Sequence, residues 1–163
     1  MKLYLFMIIS LLAGCIDNNP HVGYIPINLI ELTPTGKVYF SAIKYNGLTE
    51  RDDHEAIKNI VSVDPRKVEW CAAFINAVLE ENGLEGTSSL LAKSFLDWGN
   101  EVDVPRKGDI VVFERGGSAS WKGHVGFFVA DVGDKIIVFG GNQDDEISFA
   151  EFSKSKILSF RRN

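Results

Sequence analysis

Residues 69–83 read EWCAAFINAVLEENG, and this stretch decides the fold of the chain. Apolar residues recur in it at helical spacing, namely Trp70, Ala73, Phe74, Ala77 and Val78. Positions three and four residues apart share one side of an α-helix, so the pattern predicts a helix over Trp70–Asn82 with one buried face. Gly83 follows, where a left-handed C-terminal cap is expected. A helix with one apolar face needs a second layer to pack on.

The chain from Gly108 onward supplies that second layer, because short β-branched and aromatic runs alternate there with Gly, Asp and Asn turns. Strands are expected at Asp109–Phe113, His124–Val129, Lys135–Phe139, Glu146–Phe149 and Ile157–Phe160. Their short links favour an antiparallel meander curled into a half-barrel. Further helices are predicted at Lys37–Tyr45, Asp52–Val61 and Ser88–Trp98. Helices first and strands second predict the α+β class, with a seam between the layers.

Composition limits the class of function. The chain has 163 residues, is 45% apolar and carries a net charge of −5, which is typical of one folded domain. Its basic residues are scattered over an acidic chain, so no nucleic-acid partner is expected. The His and acidic residues show no ligand spacing, so neither a metal nor another cofactor is expected. We expect a monomer.

The N-terminus predicts export and a lipid anchor. An apolar run, Leu3–Leu12, follows Lys2 and leads into Leu12-Ala13-Gly14-Cys15, which resembles the lipobox of bacterial lipoproteins. This resemblance implies a signal peptide at 1–14, lipidation of Cys15, a tether at 15–36 and a domain at 37–163. The leader is too short to span a bilayer comfortably, which takes ~20 residues. Ile16 after Cys15 favours the periplasmic face of an outer membrane, by resemblance to enterobacterial sorting. An ordinary cleaved signal with a coincidental cysteine is the alternative.

Cys71 is the candidate nucleophile. If Cys15 is lipidated, Cys71 is the only free thiol of an exported protein, a setting that indicates reactivity. It lies near a predicted helix start, where backbone N–H groups and the helix dipole are expected to lower the thiol pKa and to stabilise an oxyanion. The alternative is a small buried apolar residue, the usual fate of a free cysteine.

A nucleophilic thiol needs a base and a group that orients it. His124 opens an apolar strand beside the expected seam, whereas His21 lies in the tether and His54 on a polar helix turn. A hydrogen-bonded structural histidine is the alternative for His124. Asn142 follows the next strand and is a candidate to orient the imidazole; the alternative is a plain Asn turn.

Five blocks in order resemble the NlpC-like and CHAP peptidases, papain-like cysteine hydrolases of peptidoglycan, and are most similar to a CHAP-related branch. They are Trp70–Phe74, Ser94–Gly99, Gly108–Phe113, Gly123–Phe127 and Gly140–Gln143. The resemblance implies a papain-like α+β fold in which Cys71 is the nucleophile, His124 the base and Asn142 the third member. CHAP enzymes often carry a Glu two residues before that Asn, but this chain has Gly140 there. Gln143 or a backbone carbonyl is therefore a further candidate for the orienting role.

The resemblance also implies the reaction. We expect hydrolysis of amide bonds in cell-wall peptidoglycan through a thioester, with the wall's stem peptide as partner. Substrate contacts are expected from Trp70, Trp121 and Gln143. Two alternatives remain open: a catalytically silent envelope lipoprotein that binds wall peptides or a partner, and an antibacterial or phage-derived lysis effector with the same chemistry.

Overall fold

The computed structural model describes residues 33–117 and 119–163. The predicted signal peptide, Cys15 and nearly all of the tether lie outside the described residues, so their placement stays a prediction. No helix within the described ranges has the length and apolarity needed to cross a bilayer.

Three α-helices precede six strands along the chain. The helices are Pro34–Ala42 (α1), His54–Val61 (α2) and Cys71–Glu81 (α3). The strands are Asn100–Glu101 (β1), Ile110–Glu114 (β2), Gly123–Asp131 (β3), Lys135–Gln143 (β4), Glu146–Ser153 (β5) and Ile157–Arg162 (β6). Short 3-10 helices lie at Ile43–Tyr45, Ala92–Asp97 and Lys154–Lys156. The α+β class is therefore confirmed, with every predicted strand present.

The strands form one antiparallel sheet in the order β1-β6-β2-β3-β4-β5. β2 to β5 make the expected meander. β6 does not continue it, because it returns to the opposite edge and pairs with β2. The two-residue strand β1, which the sequence did not predict, pairs with the end of β6.

A side-chain cap sets where the first helix begins, whereas the second helix has none. α1 begins three residues before its predicted start, because Thr33 Oγ1 accepts a hydrogen bond from Gly36 N at 3.0 Å and Pro34 suits the first turn. α2 begins at His54. Asp53 precedes it, but its carboxylate accepts from Thr49 N at 3.1 Å rather than from a helix N–H.

The helix predicted at Ser88–Trp98 is wrong in its first half. Only the 3-10 helix Ala92–Asp97 forms, because the buried side chain of Asn76 holds the preceding segment in an extended path. Thr87 N donates to Asn76 Oδ1 at 2.7 Å, and Asn76 Nδ2 donates to Ser89 O at 2.9 Å. Ser88 between them adopts a φ of +52°, which a continuous helix does not allow.

The sheet is buried on both faces, and each face has its own cluster of apolar side chains. The helix-side cluster joins α1, α2 and α3 to the sheet and includes Cys71, Phe74, Val125, Phe127 and Phe139. The far-side cluster contains Val111, Phe113, Phe128, Ile136 and Val138, with Phe152, Ile157 and Phe160 packed against it. Because side chains alternate along a strand, neighbouring residues of β3 belong to different clusters.

A glycine allows α3 to lie close to the sheet. Gly141 in β4 faces the start of α3, and a Cβ placed there would clash with the ring of Trp70 and lie 2.8 Å from Phe74 Cβ. Any larger residue would push the helix away from the strands. The first turn of α3 is thereby held against the middle of the sheet.

A buried ion pair at the start of β2 provides a test of the fold. Asp109 is fully buried and accepts from Arg162 Nε at 2.8 Å and from Arg106 N at 2.6 Å. Asp109→Asn is expected to lower the free energy of unfolding by about 3 kcal/mol, because it leaves the partly buried guanidinium uncompensated. Urea denaturation measures the change.

The matched control is Glu151→Gln, which removes an exposed pair with Lys135 at 3.0 Å. It is expected to cost less than about 0.5 kcal/mol. Equal effects of the two substitutions would contradict a structural role for the buried pair.

Candidate active site

Cys71 is the first residue of α3 and is almost fully buried. Trp70 precedes it, and the Trp70 side chain makes no capping hydrogen bond to the helix. The first-turn N–H groups of α3 therefore have no side-chain cap. The thiol itself is in polar contact with the backbone N–H groups of Val125 and Ala72. Cys71 thus lies where α3 meets β3, as expected from the sequence.

The thiol pKa does not shift in the expected direction. Burial raises the pKa of Cys71 above its ordinary value, and this effect exceeds the opposing contacts with Val125 N–H, the Arg115 charge and Ala72 N–H. The expectation of a lowered pKa is wrong, because a helix start was considered without the apolar surroundings of the sulfur. At neutral pH the resting group is therefore a thiol.

His124 lies at the beginning of β3, fully buried. Its ring stacks on Phe152, with the centroids 4.9 Å apart, and lies beside Phe113. The imidazole is therefore on the far side of the sheet, whereas its neighbour Val125 faces α3.

Gln143 fixes the orientation of this ring. His124 Nε2 lies 3.3 Å from Gln143 Oε1. The Gln143 amide nitrogen donates to Ser148 O and to Gly140 O, so its oxygen is the atom left to face the imidazole. Since an amide oxygen only accepts, the His124 proton lies on Nε2 and the lone pair on Nδ1.

The Nδ1 atom of His124 is buried and has no hydrogen-bond partner among the described residues. Burial, assisted by the nearby charge of Arg115, lowers the pKa of His124 to about 3 despite the hydrogen bond to Gln143. At neutral pH the imidazole is therefore uncharged with a free lone pair on Nδ1, and in these surroundings it is a weak base.

Cys71 lies against β3 next to His124 along the strand, but the thiol and the imidazole do not contact each other. The sulfur contacts the amide of Val125, the residue that follows His124. Thiol and imidazole share no hydrogen bond, and they line different cavities, of about 360 and 290 Å³. Arg115 lines both cavities. Proton transfer between the two groups therefore requires a further approach of Sγ and Nδ1.

Asn142 does not contact the imidazole, contrary to expectation. Its Nδ2 donates to Glu69 Oε2 at 2.8 Å, and its φ is +57°. A β-bulge between Gly140 and Gln143 inserts one extra residue into β4 opposite β5. The bulge turns Asn142 away from the ring and brings Gln143 to it.

The three expected substrate contacts differ in position. Trp70 is buried and donates from Nε1 to Glu50 Oε1 at 2.6 Å, so it is a core residue and that prediction is wrong. Gln143 is buried under the ring and does not line the cavity of Cys71. Trp121, 67% exposed, lines this cavity with Leu90 and Leu91, and its role stays a prediction.

Sequence reasoning missed Arg115, which borders both cavities. A cation directly after the β2 run, across a hairpin from His124, was the available signal. The described part of the chain contains no group of three or more His, Cys, Asp or Glu side chains arranged to hold a metal ion.

A buried cysteine at the start of a helix packed on an antiparallel sheet, with a histidine on the contacting strand, defines the papain-like α+β class. Within this class the chain matches the CHAP domain family over residues 63–142. The match contains Cys71, His124 and Asn142 and ends one residue before Gln143. A search of curated proteins finds no match. CHAP domains are typically amidases or endopeptidases of peptidoglycan.

The buried imidazole predicts a pH-dependent stability. An unfolded chain protonates His124 near its ordinary pKa of 6.5, whereas the folded protein, with a pKa of about 3, does not. Stability is therefore complete above pH 6.5 and falls as pH drops toward 3. Between pH 7 and pH 5 the loss from this residue is about 2 kcal/mol. Urea denaturation at both pH values measures it. His124→Gln is the control and is expected to lack this part of the loss; an identical loss in the variant would contradict the assignment.

The raised thiol pKa predicts slow alkylation. In the chain carrying Cys15→Ser, Cys71 is the only cysteine. Its iodoacetamide rate is expected to rise with pH around a midpoint above that of the same protein unfolded in urea, because burial disfavours the thiolate. A midpoint at or below that of the unfolded chain would show that the folded protein stabilises the thiolate.

Proposed function

We propose that the protein is a cysteine amidase or endopeptidase that hydrolyses amide bonds of cell-wall peptidoglycan, with Cys71 as nucleophile and His124 as base. One observation carries the proposal: the thiol at the start of α3 contacts the main chain beside a histidine whose Nε2 is fixed and whose buried Nδ1 is free. The CHAP match supports the substrate class.

In the proposed reaction, the thiol proton passes to Nδ1 of His124 as sulfur attacks the amide carbonyl. Both groups start neutral, so charge separates only as the bond forms. Gln143 Oε1 stabilises the resulting imidazolium through its hydrogen bond to Nε2. The oxyanion accepts from the uncapped N–H groups at the start of α3.

The imidazolium then protonates the leaving amine, and a thioester remains on Cys71. Water attacks this thioester, giving its proton to His124, and the carboxylic acid leaves with regeneration of the thiol. Because the imidazole lies on the far side of the sheet, the reaction requires a substrate-bound state in which the His124 ring has moved from between Phe113 and Phe152 to bring Nδ1 to the sulfur. Trp121, Leu90 and Leu91 supply an apolar wall for the peptide.

One observation favours a second candidate, a catalytically silent protein that binds wall peptides. Cys71 and His124 line separate cavities and share no hydrogen bond. In a silent protein, the far-side imidazole would serve only to fill the space between Phe113 and Phe152.

Digestion of isolated sacculi separates the two candidates. Wild-type protein is expected to release fragments, identified by mass spectrometry, and Cys71→Ala and His124→Ala are expected to abolish release. Gln143→Ala is expected to reduce the rate by about 10- to 100-fold, because the ring loses its orientation but the base remains.

Asn142→Ala is the matched control from the adjacent position, and it is expected to have the smaller effect because its amide contacts Glu69 rather than the ring. Release that persists in Cys71→Ala would remove this residue as nucleophile. Binding of sacculi without release by the wild type would favour the silent candidate.

A further inference from the structure

Arg115 is the feature of the cleft that the proposed reaction does not use. It follows β2 directly, and its backbone N donates to Lys122 O at 3.2 Å across the hairpin, which fixes the start of its side chain. The guanidinium is 43% exposed and borders the cavities of both Cys71 and His124. Its charge acts on the pKa of both groups.

The donors of this guanidinium are not satisfied within the described residues. The nearest carboxylate is that of Glu69, whose Oε2 lies 3.8 Å from an Arg115 terminal nitrogen, too far for a hydrogen bond. Glu69 is 74% exposed, and the same oxygen already accepts from Asn142 at 2.8 Å. An arginine presents five N–H donors in a fork that matches a carboxylate bidentately.

The local charge also favours an anion. The cavity that Cys71 lines is bordered by two cations, Arg115 and Lys122, and by one anion, Glu69, although the whole chain has a net charge of −5. The Lys122 ammonium lies 5.9 Å from the centroid of the Trp121 ring and so is directed toward an aromatic face. Among the described residues that border this cavity, Arg115 is thus the cation whose N–H donors have no hydrogen-bond partner, with the Glu69 carboxylate 3.8 Å away.

We propose that Arg115 forms a carboxylate-binding subsite and selects peptides that carry a free carboxylate beside the scissile amide. This inference rests on the proposed function for its substrate class. The carboxylate can belong to an internal residue or to the peptide's C-terminus. The subsite binds the amidated form of the same peptide less well, because a neutral carboxamide cannot form the charged bidentate pair with Arg115.

Two matched pairs of synthetic stem peptides test the subsite with the full chain. The first pair compares a peptide that has an internal carboxylate with the same peptide carrying a carboxamide there. The second pair makes the same comparison at the C-terminal carboxylate. The wild type is expected to prefer the free carboxylate in kcat/KM by about tenfold or more in one of the pairs, and that pair identifies the source. Arg115→Gln is expected to bring the ratio of kcat/KM for the free carboxylate to kcat/KM for the carboxamide close to one. Arg115→Lys is expected to give an intermediate ratio.

Lys122→Gln is the like-charge control. It removes one cation from the same cavity, so a general electrostatic effect would lower the ratio equally in both variants. Retention of the preference in Lys122→Gln and its loss in Arg115→Gln would support the subsite. Equal cleavage of both members of each pair by the wild type would overturn it and leave the proposed hydrolase intact.

Binding to the Cys71→Ala chain, measured by calorimetry, gives a readout independent of turnover. A preference for the carboxylate that disappears on adding Arg115→Gln would support the subsite even if the wild type cleaves nothing, in which case the proposed hydrolase alone fails. Equal affinity for the two members of each pair would overturn the subsite.

Discussion

The close approach of α3 to β4 is the constraint on which the rest of the structure depends. Gly141 leaves room for Trp70 and Phe74 to pack directly on the strand. Since Cys71 lies between these two residues in the first turn, the same approach presses the thiol against the backbone of β3. The same contact thus sets the packing of the core and the position of the proposed nucleophile, Cys71.

Burial controls the electrostatics of the centre. Thiol and imidazole both lose water, so each favours its neutral form. The charge of Arg115 lowers the pKa of both groups, and it therefore favours the thiolate while it disfavours the imidazolium. A neutral resting pair resists adventitious oxidation and alkylation, because the thiolate is the reactive form. In the proposed reaction, the charge-separated state is then reached through interactions that a substrate contributes.

Much of the fold could be predicted from the sequence, because helical spacing around Phe74 and the β-branched runs after Gly108 are strong local signals. The extended loop before Ala92 could not be predicted from the sequence, since it depends on the tertiary hydrogen bonds of Asn76. Cys71 lies at the meeting of helix and strand as expected, whereas His124 was expected beside the seam and its ring lies on the far side of the sheet. Their pKa values and the faces of the sheet on which they lie were not accessible, because both depend on the full three-dimensional surroundings.

The bulge in β4 has a consequence for how this chain can vary. Phe139 and Gly141 face the helices, so strict alternation would give Gln143 the same face and would leave Asn142 toward the imidazole. The extra residue between Gly140 and Gln143 reverses this order. Straightening the bulge with all its residues retained would return Gln143 to the helix side of the sheet and place Asn142 toward the imidazole. Among related sequences, a residue that tolerates a positive φ should therefore be retained at the Asn142 position, because the backbone at this position holds the bulge.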